Sequence, residues 1–72
     1  MSMHPHEDVE SSLIRSVAHD PDNNVLEIKF NSGDTYQYSG VSASEHFSLM
    51  NADSVGRHFN QQIVGRYDHT KI

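Results

Sequence analysis

The sequence predicts an α+β domain: a three-stranded antiparallel meander followed by two short helices packed on one sheet face. Three observations carry this expectation. "VLEIKF", from Val25 to Phe30, alternates apolar and polar residues with the period of a half-buried strand. Turn-forming clusters, "DPDNN" before it and "NSGD" after it, separate it from two further β-rich runs. Beyond Gly40 the apolar spacing lengthens to that of a helix, and it does so twice.

Taken in order, residues 1–10 hold Pro5, two histidines and three acids but little that could be buried, so they read as a flexible N-terminal arm. A single domain is expected over residues 11–67, with 68–72 as a C-terminal tail. The first strand, "LIRSVAH" from Leu13 to His19, does not alternate cleanly. Strict alternation puts Ile14 and Ala18 on one face and Leu13 and Val17 on the other, which calls for either a bulge or burial on both faces. In the second strand Leu26, Ile28 and Phe30 share a face. Gly33 can take the positive φ of a tight reversal, and "TYQY" from Thr35 to Tyr38 returns as the third strand. Tyr36 and Tyr38 lie two residues apart and so share a face, where they would extend the apolar side of the hairpin or, alternatively, stack on bases.

Ser42 with Glu45 three residues on matches a capping box, and Ala43, Phe47 and Met50 fall at helical spacing, which predicts a helix ending near Asn51. Asp53 or Ser54 can cap a second helix whose apolar stripe is Val55, Phe59 and Ile63, stopped by Gly65. Gly56 inside that helix costs about 1 kcal/mol relative to alanine, so it is expected where a neighbour packs closely.

Composition narrows the chemistry. Without cysteine there is no disulfide, thiolate zinc site or thiol nucleophile. The six histidines include no H-x-x-x-H or H-E-x-x-H spacing, so neither a metal site nor a cofactor is expected. One exception is conditional: were Met1 removed, Ser2-Met3-His4 would offer nitrogens for Cu(II) or Ni(II) in a square plane. No G-x-S-x-G elbow and no glycine-rich phosphate loop occurs, which makes an enzyme the minority reading. The longest apolar runs are two residues, far short of the roughly 20 that cross a bilayer, and the start resembles no secretory signal. A cytoplasmic protein with no membrane partner is expected.

The net charge is -5, but it is unevenly spread: Arg57, Arg66 and Lys71 face only Asp68 in the segment from Ser54 onward. An anion-binding surface therefore belongs toward the C-terminus. Arg57, Asn60 and Gln61 share one face of the second helix, with Arg66 and Tyr67 just past its end. Arg57, Asn60, Arg66 and Tyr67 are the candidate nucleic-acid contacts: arginine for phosphate, asparagine for a base edge, tyrosine for stacking. The alternative is a solvated helix face with no ligand.

The stretch "SSLIRSVAHDPDNNVLEIKFNSGDTYQYSGV", followed by "ADSVGRHFNQQIVGRY", resembles the KTSC family, a short domain named for its occurrence at the C-terminus of some lysyl-tRNA synthetases. The resemblance runs from about Ser11 to Tyr67. It includes the Y-x-Y of Tyr36 and Tyr38 and the S-V-G-R-x-F-N segment from Ser54 to Asn60. It implies a stand-alone domain without catalytic residues, whose partner is RNA or a nucleic-acid-associated protein. The competing expectation is a protein-interaction module that does not touch nucleic acid.

Overall fold

The computed structural model describes residues 6–72, in which an antiparallel sheet carries two helices on one face. The strands are β1 (Glu7–Asp8), β2 (Ile14–Asp20), β3 (Val25–Phe30), β4 (Thr35–Ser39) and β5 (His69–Lys71), paired in sequence order. Between β4 and β5 run α1 (Ala43–Met50) and α2 (Val55–Gln62).

The sheet thus has five strands rather than three. Glu7–Asp8, expected in a flexible arm, pairs with Val17 and Ser16 of β2. The expected tail 68–72 supplies β5, which pairs with β4 from Tyr36 to Tyr38. The backbone explains both additions. Any extended segment can satisfy the free N–H and C=O groups of an edge strand, whatever its side chains, so "ED" and "HTK" need no β pattern of their own. An ion pair at 3.3 Å between Lys71 and Asp34 ties β5 to the β3–β4 reversal. Residues 1–5, including the Ser2-Met3-His4 motif, lie outside the described residues.

The irregular first strand resolves as a bulge. The register between β2 and β3 shifts between Ile14 and Ser16, which brings Ile14 and Val17 to the same side. Both are buried there with Leu26, Ile28 and Tyr38. The β2–β3 turn is held by Asp20, whose carboxylate accepts from the amides of Asp22 and Asn23 and from the Asn23 side chain. Gly33 has φ 101° in the β3–β4 reversal, a conformation that glycine adopts without strain.

Over this face lie Leu49 of α1, Val55 and Phe59 of α2, and Ile63 at the α2 C-cap. The α2 stripe is the expected one, and Ser54 caps it by accepting from the Arg57 amide at 3.2 Å. A Cβ on Gly56 would stand 3.0 Å from Ser11 Oγ, the close approach anticipated there.

α1 differs. Ala43 is exposed and Phe47 is 68 % exposed, while Leu49 is fully buried. Two polar residues turn the helix this way. His46 stacks on His19 of β2, with ring centroids 4.8 Å apart, and Glu45 meets His58 of α2 at 3.1 Å. Ser42 accepts from the Glu45 amide, as in a capping box, but the Glu45 carboxylate is engaged across the helix pair instead.

Candidate nucleic-acid interface

Both tyrosines point to the helices. Tyr36 pairs with Ile28 and Tyr38 with Leu26 across the β3–β4 ladder, so both share the apolar face. Tyr38 is 6 % exposed and meets Phe59 edge to face at 5.4 Å. Burial, reinforced by Tyr36, raises the Tyr38 pKa above its ordinary value. Tyr36 is half-buried and meets Phe30 edge to face at 5.7 Å. The opposite sheet face is polar: Ser16, Lys29 and Thr35 stand in one cross-strand row, Ala18, Glu27 and Gln37 in the next.

On that polar face lies a network that sequence inspection missed. His6 donates through Nε2 to the Glu27 carboxylate, and its Nδ1 lies 2.8 Å from Ser16 Oγ. The Gln37 amide donates to the other Glu27 oxygen at 3.2 Å. Glu27 is 5 % exposed, so its charge depends on these partners rather than on water. The only hint in the sequence is that Glu27 interrupts the strongest apolar strand, a position normally read as solvent-facing.

The four candidate contacts divide between the body and the exit of α2. Arg57 and Asn60 are exposed and line a groove with Gly56 and the β2 approach around Leu13. Glu10 and Asp53 also border this groove and outnumber Arg57 as its charged residues. Gly65, at φ 80°, turns the chain after α2. There Arg66 is exposed and donates to Gln62 at 3.1 Å, whereas Tyr67 is half-buried against the core. Arg66, Tyr67, Asp68 and His69 line a second hollow. Tyr67 forms one wall of that hollow.

A third pocket, of about 340 Å³, joins the two. It shares Leu13 and Asn60 with the Arg57 groove and Gly65 and His69 with the Arg66 hollow, and Phe30, Tyr36 and Phe59 contribute rings to it. Among the described residues no three His, Cys, Asp or Glu side chains cluster as metal ligands, and no helix is long and apolar enough to cross a membrane.

Comparison with known proteins follows the same outline. The family model of the KTSC domain matches residues 10–67. A protein of Stutzerimonas stutzeri whose role is uncharacterized is 45 % identical over 53 residues, covering 74 % of this chain and 75 % of that protein. A lysine–tRNA ligase of Nostoc punctiforme is 38 % identical over 63 residues, 88 % of this chain but 11 % of the ligase. The crystal structure of a KTSC domain protein from Yersinia pestis superposes with a TM-score of 0.89 at 45 % identity, covering 94 % of this chain and 96 % of that one.

Proposed function

The chain belongs to the KTSC domain family, and on that footing we propose that it is a small non-enzymatic module that binds RNA on the exposed side of α2 and its exit. The observation that carries this reading is that the Arg57 groove, the aromatic pocket and the Arg66 hollow share lining residues and so run continuously along α2 and its exit. Arg57 and Arg66 take phosphates, Asn60 a base edge or backbone group, and Tyr67 supports the Arg66 hollow. Similarity to a segment of lysine–tRNA ligases, enzymes named for an RNA substrate, supports the same direction. The module works in the cytoplasm, away from membranes.

A second reading is kept by Phe47, whose ring is 68 % exposed on α1. An exposed aromatic on an acidic module suits protein–protein contact without nucleic acid.

The test is fluorescence anisotropy with single-stranded and hairpin RNA across a salt series. Binding is expected at low salt, with Arg57→Ala and Arg66→Ala each weakening it and lowering the salt slope by about 0.7 per lost phosphate contact. If no RNA binds at low salt, where phosphate contacts are strongest, the RNA reading fails and the Phe47 surface takes its place. If both variants bind as the parent does, the α2 face is the wrong surface.

A further inference from the structure

Resting on the RNA reading, we propose that the aromatic pocket between α2 and β4 receives one unstacked base of a single-stranded RNA, with Tyr36 as its stacking platform. Exposure grades the pocket. Phe30 and Tyr36 are half-buried, Leu13 and Val64 are 37 % and 48 % exposed, and Asn60 and His69 are exposed. An aromatic interior therefore opens past apolar sides to a polar rim. Its volume of about 340 Å³ lies at the small end of ligand pockets, which span about 300–1,000 Å³.

The occupant follows from the surroundings. An apolar side chain of a protein partner would fill the interior but make no use of the Asn60 amide and the His69 imidazole, which would stay hydrated at the exposed rim. A base satisfies both requirements, because its flat face stacks on rings while its edge offers donors and acceptors to an amide, which has both. Basic residues also flank the pocket on two sides, Arg57 beyond Asn60 and Arg66 beyond Gly65. A nucleotide entering base first would have chain phosphates leaving in both directions, toward the two arginines. Glu10, Asp53 and Asp68 border the same path, so phosphate attraction alone is weak there and the base must contribute a large share of the affinity.

Tyr36 is held as a platform requires. It packs against Phe30 at 5.7 Å and against His69 of β5 at 5.7 Å, and its backbone pairs with Ile28 on one side and Lys71 on the other. The ring is thus set before any ligand arrives, and little side-chain freedom is lost on stacking. β5 matters here: without it His69 would not stand at the rim.

The experiment compares, by anisotropy at low salt, pentauridine and pentaadenosine RNA with an abasic oligomer of the same phosphate count. The base-bearing oligomers are expected to bind more tightly by about 5- to 150-fold, the range for one base–aromatic stack. Tyr36→Leu should remove most of that advantage while leaving the abasic oligomer unaffected, and Tyr36→Phe should retain it. Asn60→Ala, at an exposed position that carries no folding risk, should weaken the base-bearing oligomers more than the abasic one. If abasic and base-bearing oligomers bind the parent equally, the pocket reading is overturned while the phosphate-contact reading survives. If a folded Tyr36→Leu variant keeps the full advantage, the platform is overturned in the same way. If none of the three oligomers binds, it is the RNA reading itself that falls.

Discussion

Replacing Phe59 with leucine probes the aromatic junction shared by the core and the pocket. Phe59 is 2 % exposed, and its ring meets Phe30 at 5.5 Å and Tyr38 at 5.4 Å, both edge to face. Leucine stays buried and apolar but forfeits both ring pairs, each worth about 0.5–1.5 kcal/mol beyond area burial. The expected cost is therefore about 1–3 kcal/mol, against about 3–5 kcal/mol for alanine, which also leaves a cavity. A 72-residue domain holds about 4–11 kcal/mol in all, so the alanine variant sits near the edge of folding and leucine is the informative change. Urea denaturation measures it: with a slope near 1 kcal/mol per molar, the midpoint should fall by about 1–3 M with the slope unchanged. Tyr38→Leu and the double variant complete a cycle whose coupling should be about 0.5–1.5 kcal/mol. A leucine midpoint within about 0.3 M of the parent, or a cycle without coupling, would refute the claim that ring geometry stabilises this core.

Acidification should destabilise the fold through His46, whose pKa is lowered below its ordinary 6.5 by burial and by the stacked His19, with Glu7 opposing. The neutral imidazole is the folded form, so this stability is present above pH 6.5 and is lost as pH falls through the lowered value; His46→Phe should flatten that limb of a melting-temperature profile. Tyr38 acts at the other end: its raised pKa means stability is full below pH 10 and is lost as pH climbs through the raised value, a loss Tyr38→Phe should abolish. His6→Ala removes the contacts to Glu27 and Ser16 and should cost about 1–2 kcal/mol, with faster hydrogen exchange at the Val9 amide that bonds Arg15; unchanged exchange would mean that β1 holds without His6. Gly65→Ala meets no steric obstacle but must hold φ near 80°, so a loss of about 1 kcal/mol in a thermal melt is expected, and a gain would show that the turn relaxes.

The parts of the fold that were legible are those in which side-chain pattern and backbone demand coincide. The apolar residues of β3 and α2 share one buried face each, and Gly33 and Gly65 stand where the chain needs positive φ. The α1 face was not legible, because two turns of helix leave its phase to two polar contacts, His46 with His19 and Glu45 with His58, that no periodicity encodes. β1 and β5 were invisible for a related reason: they are held chiefly by backbone pairing to existing edges, and their exposed side chains carry no apolar pattern. Of the candidate contacts, Arg57 and Asn60 lie on the exposed face that helical spacing indicated, while the exposure of Arg66 and the half-burial of Tyr67 depend on how the chain turns after α2.

The division between the two sheet faces bears on where a ligand can act. The face away from the helices carries polar rows centred on a buried carboxylate, and none of the three tyrosines or three phenylalanines belongs to those rows. A base finds no tyrosine or phenylalanine to stack on there, and the His6 ring on that face is already engaged with Glu27 and Ser16. On the face that carries the helices, aromatic surface is left open beside α2, at Tyr36 and Phe30. Core and base stacking are therefore not competing fates for the Y-x-Y pair. Tyr38 lies under Phe59 and belongs to the core, whereas Tyr36, two ladder pairs nearer the β3–β4 turn, gives one part of its ring to the core and leaves another at the pocket. If that division is right, leucine at position 38 should cost stability in proportion to its burial, and leucine at position 36 should cost the selectivity for bases over bare phosphates.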